Sequence, residues 1–266
     1  MRSRFSELFE DISSKIGDKL KGIVGTDKAK EKLTRGAFGD ITVYIDKLAE
    51  DIVISSIKKS GLKCSVLTEE TGLIEMGDRL PIVIVDPIDG SLNAKRGIPY
   101  FSFSIALSEG FSTNDIVVGY VKNLSNKDEY LALKGEGAYF NHSKIRTNSQ
   151  GINIAAVEGL KKESDPKLIT SVYGKFNKVR QMGSMALDMC YLATGAFDVF
   201  LNVVPSRIID YAAGKIILEE AGGGVYEWLD DKPFEGDISK NKGGLFFALS
   251  NKRLLGEFLS MLKDLR

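Results

Sequence analysis

The chain has 266 residues, 43% of them hydrophobic, and its 36 basic and 36 acidic side chains leave no formal net charge. That length buries a sizeable core, as one large domain or two closely packed halves, and the charge balance gives no sign of a nucleic-acid partner, so any field at a site must be local. Two cysteines, Cys64 and Cys190, are too few and too far apart for a disulfide framework or a zinc centre and read as small buried hydrophobes.

From the N-terminus, Phe5, Leu8, Phe9, Ile12, Ile16 and Leu20 recur at helical spacing among charges, which predicts an amphipathic helix rather than a signal peptide. No apolar run approaches membrane-spanning length, so a soluble, cytoplasmic protein with no membrane partner is expected. The segment 26–39, with Gly25 before it, sets Gly36 and Gly39 among Lys28, Lys30, Glu31 and Lys32, the composition of a mobile lid. A short alternating apolar run leads to Asp46. From there to Lys59 the pattern is helical, with Leu48, Ile52, Val53 and Ile57 on one side and Asp46 either a plain N-cap or a reactive carboxylate. Residues 63–68 read as a strand ending in the pair Glu69-Glu70.

The run Pro81-Ile82-Val83-Ile84-Val85 is apolar throughout and predicts a strand buried on both faces, with Asp86 at its tip. Pro87 disfavours a helical continuation at Asp86, so the chain turns sharply and brings Asp89 beside the first carboxylate. Two carboxylates at about 4 Å repel by roughly 4 kcal/mol with an effective dielectric near 20, so one is protonated or a cation lies between them; the cation is the better account. Gly90-Ser91 then opens a short helix whose amides suit an anion across that cation, although the same turn also reads as a helix capped by Asp89.

Alternating segments between Tyr100 and Tyr139 predict an antiparallel meander with turns at Glu109-Gly110 and at 125–128. Beyond residue 150 strands and helices alternate: strands at 152–157, 178–182, 197–202 and 245–249, helices at 184–194, 208–221 and 251–265. The fold class is therefore α+β, with an α+β half over 1–148 and an α/β half over 149–266 that completes the site. In the second half, Gly183-Ser184 leads a strand into a helix and offers amides and a hydroxyl, and Asp210 falls in the first turn of a helix; simple capping explains both locally.

In order, Glu69, the run Val85-Asp86-Pro87-Ile88-Asp89-Gly90-Ser91, Gly183-Ser184 and the run Ile209-Asp210-Tyr211-Ala212-Ala213-Gly214 resemble the inositol monophosphatase family of metal-dependent, lithium-sensitive phosphatases, over nearly the whole chain. That resemblance implies a layered αβαβα sandwich, a homodimer, and two or three Mg²⁺ ions, with Mn²⁺ able to substitute. By the same resemblance Glu69, Asp86 and the carbonyl of Ile88 would hold one ion and Asp86, Asp89 and Asp210 a second. Asp46 and Ser91 would orient the attacking water. Asp89 and the amides of Gly90 and Ser91 would meet the substrate, and Gly183, Ser184 and Met185 would line its alcohol side.

Departures from the family pattern bear on substrate. Ser91 replaces the usual Thr, Asn93-Ala94-Lys95-Arg96 replaces Asn-Phe-x-His, Ile209 replaces a common Trp, and Asn202-Val203 falls where animal enzymes have an acidic residue for an inositol hydroxyl. Strict inositol specificity is weakened accordingly. Arg207 and Lys95-Arg96 look more like the archaeal branch, which also cleaves fructose 1,6-bisphosphate, and Arg207, Arg180 and Tyr173 are candidates for the pocket. The expected activity is Mg²⁺-dependent release of phosphate from inositol 1-phosphate and fructose 1,6-bisphosphate. Alternatives are removal of the 3′-phosphate from adenosine 3′,5′-bisphosphate and a non-catalytic binding protein, the latter disfavoured because all four acidic ligands are present. The lone His142 offers no His-based phosphatase site and reads as a surface loop residue, and no Arg stands six residues after either cysteine.

Overall fold

The computed structural model describes residues 4–35, 41–147, 150–228 and 230–262. In chain order the first half contributes α1 (Arg4–Leu20), β1 (Lys32–Arg35), β2 (Ile41–Val43), α2 (Tyr44–Ser60), β3 (Cys64–Thr68), β4 (Gly72–Met76), β5 (Ile82–Asp89), α3 (Ser91–Arg96), β6 (Ser102–Ser108), β7 (Ile116–Asn123), β8 (Glu129–Leu133), β9 (Gly137–Phe140) and β10 (Ser143–Ile145). The second contributes β11 (Ile154–Glu158), α4 (Pro166–Lys175), β12 (Lys178–Arg180), α5 (Met185–Ala193), β13 (Val199–Asn202), α6 (Ile208–Ala221), β14 (Gly224–Glu227), β15 (Phe246–Leu249) and α7 (Leu255–Met261).

Side-chain alternation decides the layering. Along β5, Val83 and Val85 join a core with Phe9, Ile12 and Ile16 of α1 and Ile45, Ala49 and Val53 of α2, while Ile82 and Ile84 face a second core made by α5 and α6. Along β13 and β15, Phe200, Phe246 and Ala248 enter that same middle core, and Val199, Leu201, Phe247 and Leu249 pack outward onto Val172 of α4 and Phe258 of α7. The result is five layers, αβαβα, with α5 and α6 shared by both sheets. α6 is accordingly apolar on nearly every side, as a helix between two sheets must be. It comes close to the larger sheet at Gly119, where an added Cβ would lie 2.8 Å from the carbonyl of Ala213.

The larger sheet has eight strands in the order β10-β9-β8-β7-β6-β5-β3-β4, with β3 and β5 parallel and the other pairs antiparallel. The smaller has five, β12-β11-β13-β15-β14, parallel across β12, β11 and β13. The meander expected between Tyr100 and Tyr139 is β6 to β9. Several elements go beyond the sequence expectation. β4 and β14 are edge strands, and α4 starts at Pro166 with Asp165 as its side-chain N-cap. The last helix is shorter than 251–265, being a 3₁₀ turn followed by α7, with 263–265 outside the described residues. Of the expected lid, 27–30 form a 3₁₀ turn and β1 pairs with β2, while 36–39, with Gly36 and Gly39, lie outside the described residues. No described helix is long and apolar enough to cross a membrane.

Candidate active site

β3 and β5 run parallel and end side by side, so Glu69, just past β3, and Asp86, near the end of β5, arrive at one edge of the sheet. Asp86 is buried and its Oδ1 accepts from the Ile88 amide at 3.0 Å. The strand does not stop at Pro87 as the sequence implied. Its pairing with β6 slips between Asp86↔Ser104 and Asp89↔Ser102, three residues against two. In a flat strand Asp86 and Asp89 would face opposite sides; the extra residue re-aims them into each other's field.

The turn itself comes at Gly90, with φ +86°. Any Cβ there would meet Gly183 O at 2.9 Å and Tyr100 O at 3.0 Å, so only glycine lets β5 press against the start of α5. Asn93, one turn on, donates to Tyr100 O at 2.8 Å and Met182 O at 2.7 Å and ties the same two segments. Ser184 occupies the N-cap position of α5 but makes no cap bond; its hydroxyl donates to Asp89 Oδ2 at 2.6 Å, and the Ala186 amide donates to the same oxygen at 2.8 Å. Burial pushes Asp89 up to about 7, against these two donors, with Asp210 adding repulsion. The simple capping account therefore changes: Ser184 makes no cap bond, and Asp89 satisfies the start of α5 from across the fold rather than capping α3 beside it.

On the opposite wall Arg207, the residue that precedes α6, joins two of the acids. Its Nη1 donates to Glu69 Oε1 at 2.5 Å, its Nη2 and Nε to Asp210 Oδ1 at 3.0 and 3.2 Å, and its backbone amide to Asp210 Oδ2 at 2.9 Å. Glu50 supports this wall from behind. Fully buried on α2, it accepts from Thr68 Oγ1 at 3.0 Å, the Glu70 amide at 3.1 Å and Thr71 Oγ1, and so fixes the loop that presents Glu69. Asp46 lies in the first turn of α2, which begins two residues before it, and it caps nothing. Its Oδ2 faces Lys95 Nζ at 3.4 Å and its Oδ1 is buried with no partner. Burial raises Asp46 to about 6, opposed by Lys95 and aided by Glu69.

Five carboxylates, those of Asp46, Glu69, Asp86, Asp89 and Asp210, thus face one cleft against one guanidinium and one ammonium. Burial, then Glu69, Asp89 and Asp210, hold Asp86 well above the usual carboxylate range, and burial raises Asp210 although Arg207 opposes it. Among the described residues no three His, Cys, Asp or Glu side chains are grouped so as to hold an ion without rearrangement. The guanidinium of Arg207 stands between two of them. The donor set nonetheless fits a hard divalent cation: it is all oxygen, buried and short of positive charge, and Asp46 Oδ1 is an orphaned acceptor aimed at nothing else.

The remaining candidates scatter. Ser91 opens α3 and is half-buried, Met185 has its side chain in the middle core, and Gly183 adjoins Asn93. Arg180 is exposed and donates to Val179 O rather than to a carboxylate, and Tyr173 is exposed on α4. His142 lies at the surface beside Glu129, and both cysteines are buried and free. Sequence reasoning missed Glu50 and Asn93. The signal for Glu50 was its place four residues after Asp46, on the same side of α2 and next to the buried Ala49 and Val53.

Comparison with known proteins returns one family model, the inositol monophosphatase family, over residues 1–259. A Thermococcus kodakarensis protein named fructose-1,6-bisphosphatase/inositol-1-monophosphatase is 32% identical over 99% of both chains. A Methanococcus maripaludis bifunctional NADP phosphatase/NAD kinase is 34% identical over 82% of this chain and 42% of its own length. Among solved structures, an inositol monophosphatase-fructose 1,6 bisphosphatase superposes with a TM-score of 0.84 at 27% identity, covering 98% of this chain and 100% of the other.

Proposed function

The chain belongs to the inositol monophosphatase family of phosphatases, and from that premise we propose that it releases phosphate from inositol 1-phosphate and fructose 1,6-bisphosphate by divalent-cation-assisted attack of water. Glu69, Asp86 and the Ile88 carbonyl would hold one ion and Asp86, Asp89 and Asp210 another, with Mg²⁺ the ion best suited to such oxygens and Mn²⁺ a substitute. Bound there, the ions supply charge neutralisation and Lewis acidity. Asp46, already raised to about 6, takes the proton of the attacking water, and the Ser91 hydroxyl orients that water. Amides of Gly90 and Ser91 receive the phosphoryl oxygens, Asp89 borders the reacting group, and the backbone of Gly183, Ser184 and Met185 borders the departing alcohol. Arg207 supplies positive charge for a second phosphate.

What carries this function is the gathering of five carboxylates from α2, the loop after β3, β5 and α6 into one cleft whose own cations do not balance them. Phosphate release from inositol 1-phosphate, fructose 1,6-bisphosphate, adenosine 3′,5′-bisphosphate and NADP, with Mg²⁺ and with a chelator, tests it. Turnover of the first two, abolished by chelation, is expected; silence on all four with Mg²⁺ present refutes it. The Methanococcus relative supports dephosphorylation of NADP as a second activity, which the same panel reads. A homodimer in the cytoplasm, with small phosphate esters as its partners and with halves divided at 148/149, completes the proposal; sedimentation of the full chain tests the dimer.

A further inference from the structure

Arg207 is bonded to the same carboxylates that the proposed ions need. Its guanidinium takes Glu69 Oε1 at 2.5 Å and Asp210 Oδ1 at 3.0 Å, bridging two acids 141 positions apart in the chain. An oxygen that accepts two N–H bonds at this range has little lone-pair density left for a cation, and two positive groups on one carboxylate oxygen repel at close quarters. Guanidinium and divalent ion therefore exclude one another from Asp210 Oδ1, and at Glu69, whose Oε1 takes one guanidinium bond, they compete for the same charge.

The surroundings are built for such an exchange. Asp210 Oδ2 keeps a bond from the backbone amide of Arg207, which survives if the side chain leaves. Glu69 is carried by a loop that Glu50 pins through Thr68, Thr71 and the Glu70 amide, none of which depends on Arg207. The Arg207 side chain, by contrast, is 32% exposed and has open solvent to swing toward. A planar fork also spans two carboxylates as a single ammonium does not.

We propose that Arg207 is an exchangeable internal cation: it neutralises Glu69 and Asp210 in the ion-free protein, and ion loading displaces its guanidinium toward the cleft mouth, where it meets an anionic ligand. Ion binding would then precede capture of a phosphate-bearing ligand. This rests on the metal-dependent activity proposed above.

The test uses the full chain, freed of ions with a chelator, as wild type, Arg207→Met and Arg207→Lys. Calorimetric Mg²⁺ titration should give about tenfold tighter binding for Arg207→Met, the equivalent of one charge-assisted hydrogen bond no longer broken. Arg207→Lys should show a smaller gain. The ion-free Arg207→Met protein should melt lower than wild type, so its Mg²⁺-induced rise in Tm is larger. In ¹⁵N spectra of the wild type, the Arg207 Nε–H signal, slow to exchange without ion, should lose that protection when Mg²⁺ is added. Unchanged or weaker Mg²⁺ binding in both variants, or an Nε–H signal indifferent to Mg²⁺, overturns the proposal. A wild type that binds no Mg²⁺ at all overturns instead the metal reading beneath it. If Arg207→Met does not fold, Arg207→Lys and the wild-type spectra decide.

Discussion

The two walls of the acidic cleft are built on opposite terms. On the wall of β5 and α5, Asp89 is met by the Ser184 hydroxyl and the Ala186 amide, and Gly90 and Asn93 lock its turn to the start of α5. On the wall of α2 and the start of α6, Asp46 has one oxygen without a partner and a 3.4 Å contact to Lys95 on the other, while Glu69 and Asp210 share one arginine. Asp89 has its donors without a ligand; Asp46 does not. A cleft arranged this way keeps its shape on one side and leaves the unsatisfied charge, the part that attracts a cation, on the other.

Substitutions that treat the walls alike should therefore behave differently. Asp89→Ala is expected to reduce Mg²⁺-dependent phosphate release to background and also to lower the stability of the ion-free protein by about 1–3 kcal/mol, since the Ser184 hydroxyl and the Ala186 amide lose their buried acceptor; denaturant melts and a phosphate assay report both. Asp46→Asn should cost about 10²–10⁴-fold in turnover, the worth of a positioned base, yet leave the ion-free Tm unchanged or higher, because it removes a buried charge that is poorly matched. Equal destabilisation by the two variants would erase the distinction between the walls.

Glu50→Ala should destabilise by about 3 kcal/mol, leaving Thr68, Thr71 and the Glu70 amide unpaired, and it should weaken Mg²⁺ binding by loosening the Glu69 loop. Calorimetry that finds Mg²⁺ affinity intact in a destabilised Glu50→Ala protein would show that the loop holds without its anchor. The smallest effect is on pH. Asp46 at about 6 and Asp89 at about 7 both lie above the ordinary aspartate value of 3.8, so between about pH 4 and 7 the folded, ion-free chain holds more protons than the unfolded one. Their stabilising contribution is whole below about pH 3.8 and is lost as pH rises through 6 to 7. With chelator, Tm should fall between pH 5 and pH 8 by a few degrees; with saturating Mg²⁺ the fall should vanish.

Much of this was readable from residue order. β5 and α6 are largely apolar, so the helix expected over 208–221 sits where periodicity put it and the strand expected over 81–85 is the first part of β5, which runs on to Asp89. Edge elements were harder: after a buried Gly72, β4 alternates exposed and half-buried side chains over four residues, a pattern that a polar loop also produces. Site residues divide similarly. Asp86 and Asp89 announce themselves by spacing, whereas Glu50 matters through groups 18 to 21 positions away and Asn93 ties Tyr100, 7 positions on, to Met182, 89 positions on, a pairing that no local window contains. The roles of Ser184 and Asp210 were blurred because capping is the default for a polar residue at a helix start; Asp210 does bond the Arg207 amide as a cap would, but Ser184 spends its hydroxyl on Asp89.

The sharing of α5 and α6 between two sheets sets a timetable for synthesis. The last strand of the larger sheet, β10, is finished at Ile145, but the helices that cover its inner face come only with Met185 to Ala221. A nascent chain paused between those points carries a wide greasy surface with nothing to shelter it, and ribosome-bound chains arrested there should recruit a chaperone that those arrested after Ala221 do not.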